Sequence, residues 1–202
     1  FSNESVPGHC KKILLMFSSA SALAPFSHLA LCGMMGSGKS AIGRAAGQKL
    51  NMSFVDVDAL IEQQAGMSIA SIFETEGEQA FRQHERETLR KLSDSESRVI
   101  GLGGGSLQNQ QVVEWIKKNM LLCFIDTPLD VISERVQRNT KRPLLLDEKG
   151  RMKPENEVMK ILKALYESRL PLYSQAHIRY VPQPGNSINT SASELLDLLQ
   201  NR

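Results

Sequence analysis

Eight consecutive residues, Gly33-Met34-Met35-Gly36-Ser37-Gly38-Lys39-Ser40, carry the spacing G-x-x-x-x-G-K-[ST]. Each fixed position has a chemical use. The glycines open backbone conformations closed to other residues, so the N–H groups from Met35 to Ser40 can converge on phosphate oxygens. Lys39 places a mobile point charge near the β- and γ-phosphates. The Ser40 hydroxyl suits Mg²⁺, a hard cation that prefers oxygen. The spacing therefore asks for a nucleotide.

Other residues could act on that nucleotide. Asp56 and Asp58 lie two apart at the end of an apolar run, Ser53 to Val57. Strand alternation directs both to one face, where paired carboxylates could hold Mg²⁺ through water and accept a hydroxyl proton. Asp58 would serve equally well as a helix N-cap. Gly103-Gly104-Gly105 follows another apolar run. Three glycines contribute no packing, so they fit either a close ligand approach or a plain tight turn. Arg82 has Glu85 three residues on, within reach on a helix, and an Arg so oriented suits bidentate recognition of a carboxylate. Arg142 and Arg169 are further candidate cations. The four histidines have neither metal nor triad spacing and read as structural or solvated.

The elements that must position these groups alternate between strand and helix, the pattern of an α/β protein. His28–Cys32 predicts a buried strand running into the glycine-rich loop, and Ala41–Leu50 the helix whose positive end faces the anion. Strands follow at 53–57, 98–100, 121–125 and 178–181. Helical periodicity runs over 59–92, broken near Gly66 and Gly77. Further helices are expected at 108–118, with Trp115 on the apolar side, and at 130–138, 155–170 and 193–200. That makes a five-stranded parallel sheet with helices on both faces, its ligand crevice at the strand C-terminal ends. Residues 139–154 hold five Lys/Arg, two prolines and a glycine, and predict a mobile basic flap.

Composition bounds the answer. The 202 residues suffice for one well-cored domain, and 41% hydrophobic with 23% charged residues is ordinary for a globular protein. A net charge of +2, without basic-aromatic clusters, argues against nucleic acid or a membrane surface as partner. Cys10, Cys32 and Cys123 lack disulfide or metal spacing, which suits a reducing, cytoplasmic setting. Residues 11–24 resemble a secretory leader only faintly, because the apolar run is short. Residues 1–26 read as an extension of unassigned role ahead of a domain at 27–202.

Together these residues resemble the shikimate kinase family. The resemblance is carried by Gly33–Ser40, Phe54-Val55-Asp56-Val57-Asp58, and Gly66-Met67-Ser68-Ile69 with Ile72-Phe73. It continues in Gly77-Glu78 with Phe81-Arg82 and Glu85, in Gly103-Gly104-Gly105, in Arg142-Pro143-Leu144-Leu145, and in Arg169 with Pro171-Leu172-Tyr173. It spans residues 28 to 182. The resemblance implies a P-loop kinase three-layer sandwich with a mobile lid at about 139–154. It also implies ATP-dependent phosphorylation of the shikimate 3-hydroxyl, with Mg²⁺ as cofactor. Carried over, Lys39, Asp58 and Arg142 are catalytic, Asp58 as base and Arg142 as the lid arginine. Met35, Gly36, Ser37, Gly38, Lys39, Ser40, Arg138 and Arg142 would hold the nucleotide, Arg138 stacking on adenine. Asp58, Arg82, Arg169 and Gly103, Gly104 and Gly105 would hold shikimate, walled by Phe73 and Phe81. Ser40 and Asp56 would serve the metal, and the enzyme would act as a monomer. Two departures stand out: Leu102 where the family often has Thr, and Pro182-Gln183-Pro184-Gly185-Asn186 where an adenine-side Arg is common. A kinase of another small metabolite such as gluconate, or a non-catalytic relative that binds partners, are the competing readings. A substrate panel separates the first. Retention of Asp58, Arg82 and Arg169 weighs against the second.

Overall fold

A computed structural model describes residues 23–138 and 142–201. Its centre is a five-stranded parallel sheet in the order β2-β3-β1-β4-β5, with β1 Leu29–Cys32, β2 Ser53–Asp56, β3 Arg98–Gly101, β4 Leu121–Ile125 and β5 Ile178–Tyr180. All residues of β1 and β4 are buried, as continuous apolar runs in a sheet covered on both faces must be. Alternation divides them. Leu29, Leu31, Leu121, Cys123 and Ile125 face one core, whereas Ala30, Cys32, Leu122 and Phe124 face the other.

Helices α1 (Lys39–Leu50) and α8 (Ile188–Gln200) pack together over the first core. The second core is covered by α2 (Val57–Ala65), α3 (Ile69–Thr75), α4 (Gly77–Ser93), α5 (Gln110–Asn119), α6 (Leu129–Gln137) and α7 (Glu155–Tyr173). The periodicity over 59–92 thus resolves into three helices, closed at Gly66 in a left-handed C-cap and restarted near Gly77.

Three boundaries differ from the sequence expectation for identifiable reasons. The second strand ends at Asp56, and Val57 and Asp58 already belong to α2. The cap of that helix is Asp56, which accepts the Ala59 N–H at 3.4 Å, so Asp58 is not the cap. Helix α7 runs through Pro171 to Tyr173, whose buried ring anchors the last turn. Helix α8 starts five residues before Ser193, because Ser187 caps it by accepting the Thr190 N–H at 3.0 Å.

Where the described residues begin, Leu23 is buried in the core and Phe26 packs its ring 5.1 Å from His177, so the packed body reaches back to Leu23. Residues 1–22 of the expected extension lie outside the described residues, as do 139–141 of the expected flap. The rest of that flap has structure. Pro143–Leu145 forms a 3₁₀ turn, Leu146 and Met152 pair in an antiparallel bridge, and Leu145 is fully buried in the core that α7 residues Val158 and Leu162 also enter. Asp147 organises the loop tip. Its Oδ1 accepts the N–H groups of Lys149 and Arg151, and its Oδ2 the Arg151 guanidinium at 3.0 Å.

Candidate active site

The loop between β1 and α1 curls over the start of α1. Gly36 and Gly38 sit at φ 76° and 92°, in the left-handed region that glycine occupies without steric cost. Helix α1 has no side-chain cap and no acid in its first turn, so its N–H groups are left for an anion. Ser37 is buried and its carbonyl accepts the Thr127 hydroxyl at 2.8 Å, which pins the loop to the end of β4. Lys39 Nζ donates to the carbonyls of Gly33 at 2.9 Å and Met34 at 3.1 Å.

A crevice of about 660 Å³ opens at the C-terminal ends of β1, β2 and β3. Met35, Gly36, Gly38, Lys39 and Ser40 line it on the nucleotide side. Asp56, Asp58, Phe73, Phe81, Arg82, Gly104, Gly105, Arg142 and Arg169 line the rest. Of the residues expected from sequence, Gly103, Ser37 and Arg138 are not on its wall. Gly103 acts from behind: a side chain there would run into the Asp58 carboxylate. Arg138 is exposed at the C-terminal end of α6. One turn earlier, Arg135 reaches the nucleotide loop and donates to the Gly36 carbonyl at 3.3 Å. Residues 135 and 138 share a helix face, so periodicity alone does not separate them. Arg135 also borders a second cavity of about 590 Å³ with Gly38, Thr127 and the segment Pro182–Asn186. That segment therefore flanks the nucleotide loop without supplying an arginine.

The electrostatics follow from burial. Lys39 is drawn down to about 8, first by loss of water, then further by Arg142, while Asp56 and Asp58 oppose the shift. Asp58 is pushed up to about 6, first by burial and then by the carboxylates of Asp56 and Glu85, with Lys39 opposing. Ser40 Oγ donates to Asp56 Oδ2 at 3.0 Å. This set of hydroxyl and carboxylate oxygens fits a hard, hydrated cation such as Mg²⁺.

On the far side, Arg82 Nη1 pairs with Glu85 at 3.0 Å and Nη2 with Glu78 at 3.2 Å. The Arg82 and Phe81 side chains stack, and Phe81 packs its ring 4.8 Å from Phe73. Arg169 and Arg82 flank consecutive glycines. A side chain at Gly104 would meet Arg169 Nη1 at 3.4 Å, and one at Gly105 would meet Arg82 Nη2 at 3.2 Å. Tyr173, one turn beyond Arg169, holds its hydroxyl 3.3 Å from the Gly104 carbonyl and 3.4 Å from that of Gly33. Its burial pushes the phenol up to about 12, so it stays protonated as a donor. Most telling, Arg82 Nε, Arg142 Nε and Arg169 Nη1 are buried without a hydrogen-bond partner among the described residues. Buried guanidinium N–H groups left unmade are costly, and three around one crevice ask for anionic ligands.

Comparison with known proteins agrees with this arrangement. The family model for shikimate kinase matches residues 35–200. The chain belongs to the shikimate kinase family. A shikimate kinase from Mannheimia succiniciproducens is 35% identical over 179 residues, covering 89% of this chain and 98% of the relative. One from Chlorobium chlorochromatii is 37% identical over 165 residues, covering 82% and 86%. Among solved structures, the shikimate kinase of Bacteroides thetaiotaomicron superposes with a TM-score of 0.77 at 30% identity, covering 86% of this chain and 98% of that one. That of Acinetobacter baumannii, in complex with shikimate, superposes at 0.75 with 30% identity, covering 88% and 94%. The shikimate kinase fold, a parallel sheet with helices on both faces, is therefore the one expected from sequence.

Proposed function

We propose that this enzyme transfers the γ-phosphoryl group of ATP to the 3-hydroxyl of shikimate, releasing ADP and shikimate 3-phosphate. The observation that carries the reading is the set of guanidinium N–H groups, unpartnered among the described residues, gathered with Lys39 and Asp58 around one crevice. Family membership supports shikimate over gluconate as acceptor.

The nucleotide phosphates lie on the loop from Met35 to Ser40, and Arg135, at the edge of the second cavity, takes the adenine side in preference to Arg138. Arg82 and Arg169 meet the shikimate carboxylate, with the backbone at Gly104 beside them and Phe73 and Phe81 as the wall. Asp58, raised toward neutrality, accepts the hydroxyl proton as the acceptor oxygen attacks phosphorus. Lys39 leaves its loop carbonyls for the phosphates and, with Arg142, offsets charge on the equatorial oxygens. Ser40 and Asp56 would hold Mg²⁺, which when bound neutralises phosphate charge. Residues 142–154, anchored by Leu145, form the lid that excludes water. We read the enzyme as a cytoplasmic monomer. The free thiols of Cys32 and Cys123 suit that setting, and among the described residues no helix is long and apolar enough to cross a membrane.

A coupled assay of ADP release tests the reading. Release should depend on shikimate and should fail with an analogue lacking the carboxylate, because two buried cations would go unpaired. ADP release indifferent to shikimate, or equal use of the analogue, would refute it.

A further inference from the structure

Arg82 selects substrate only if its guanidinium is held in one orientation, because the planar fork reads a carboxylate by geometry. Glu85 lies next to it on α4, and Glu85 is itself buried, only 5% exposed. A carboxylate in that position has rotamers of its own and needs a second hold. The hold is Ser106, the residue after the triple glycine. Its hydroxyl is buried and donates to Glu85 Oε1 at 2.6 Å, the short range of a charge-assisted O–H···O⁻ bond. The other oxygen, Oε2, takes Arg82 Nη1 at 3.0 Å. Nη1 also donates to the Gly105 carbonyl at 3.3 Å, and Gly105 is covalently joined to Ser106. The four groups thus close a ring that ties the glycine loop to α4.

The ring determines which edge of Arg82 is free. Nη1 is used twice within it. Among the described residues Nε is buried without a partner, and Nη2 is hydrogen-bonded only to Glu78, which is largely exposed. A ligand carboxylate therefore meets the Nε and Nη2 edge, and its angle is set by what fixes Nη1.

We propose that Ser106 is a positioning residue for the acceptor: its hydroxyl fixes Glu85, Glu85 fixes Arg82, and Arg82 takes the shikimate carboxylate. The proposal rests on shikimate as the acceptor. It assigns no chemical role to Ser106, so the cost of losing the hydroxyl should fall on acceptor binding and not on transfer.

The test is steady-state kinetics on four enzymes: wild type, Ser106→Ala, Arg82→Lys and the double variant. Ser106→Ala should raise the shikimate KM about tenfold, the worth of one hydrogen bond to a charged group. kcat should stay within about threefold and the ATP KM should not move, a split that a general loosening of the fold would not produce. In the Arg82→Lys background the serine change should add little, because the fork it positions is already gone. Equal multiplication of KM in both backgrounds overturns the relay. So does an unchanged shikimate KM in Ser106→Ala, or a matching rise in the KM for both substrates. Should Ser106→Ala fail to fold, Glu85→Gln reads the same link from its other end, and a wild-type shikimate KM there overturns it. A wild-type enzyme that ignores shikimate overturns the proposal and the function together. A wild-type enzyme that uses shikimate, with Ser106→Ala unchanged, overturns the relay alone.

Discussion

Gly103→Ala should separate catalysis from stability in this enzyme. Gly103 has no positive φ, so its backbone accepts alanine without strain. The three atoms nearest the new methyl all belong to the Asp58 carboxylate, Oδ1 closest of all, with Cγ at 2.9 Å and Oδ2 at 3.0 Å, against about 3.4–4 Å for an ordinary contact. The carboxylate is the far end of a flexible side chain facing an open crevice, so it can swing aside by about 1 Å. An off-rotamer side chain costs about 0.5–1.5 kcal/mol. Removing a glycine from the unfolded chain returns about 0.4–1 kcal/mol. The two nearly cancel, and Tm should move by no more than about 4 °C. Catalysis has no such offset. A base must lie within hydrogen-bond reach of its proton, and a 1 Å misplacement costs about 100-fold, or about 2.7 kcal/mol of barrier. A coupled assay should therefore show kcat down about 100-fold with the ATP KM unchanged, beside a near-normal melting curve. Gly47→Ala is the contrast. Its methyl would lie 2.7 Å from the Met52 backbone carbonyl, which cannot swing away, so stability should suffer instead. A Gly103→Ala enzyme with wild-type kcat would refute the role given to Asp58 and to the glycine beneath it.

Asp58→Asn should lose about 10²–10⁴ in kcat and yet melt higher at pH 7.5. Its folded pKa, about 6, lies above the ordinary aspartate value of 3.8, so the ionised group costs stability above pH 6 and the gain should fade as pH falls through 6 toward 4. kcat/KM should fall below about pH 6 as Asp58 protonates and above about pH 8 as Lys39 loses its proton; a flat profile between pH 5 and 9 would contradict both assignments. Arg82→Lys should raise the shikimate KM about tenfold or more and leave the ATP KM alone, and equal weakening of both would contradict the carboxylate pairing. Amide exchange over residues 142–154 should slow when nucleotide and shikimate are both present, and no change would argue against a lid.

The sheet was legible because its strands are short, apolar-rich runs, four of the five with a glycine or proline at or just past their C-terminal end. Leu121–Ile125 matches its strand end to end. The nucleotide loop was legible because its chemistry dictates residue types at fixed spacing. What failed was register along an element. Asp56 and Asp58 reach one crevice, but a chain that turns from strand to helix between them brings them there, not strand alternation. Arg135 and Arg138 are one turn apart, and only the packing of α6 against the loop chooses between them. Leu145 was hidden in a stretch that reads as basic and loose, since a single buried apolar residue leaves no periodic trace. Ser106 gave no signal either, because a lone serine after three glycines looks like part of the turn.

The strand order has a consequence for how such an enzyme can change its acceptor. β1 divides the sheet into two flanks. On one lie β2 and β3, and the chain from Ser53 to Gln108 supplies Asp56, Asp58, Phe73, Phe81, Arg82, Glu85 and the triple glycine in a single continuous stretch. On the other flank lie β4 and β5, whose following segments carry Arg135 and Pro182–Asn186 beside the second cavity. On the proposed assignment, most donor and acceptor contacts lie on separate lengths of chain joined at the loop after β1, and Asp56, the lid with Arg142, and α7 with Arg169 and Tyr173 cross between them. A lineage can rewrite the stretch between α1 and α5, keeping Asp56, and leave the nucleotide loop untouched. The acceptor is the exchangeable cassette of this architecture, and α7 is the seam any exchange has to match.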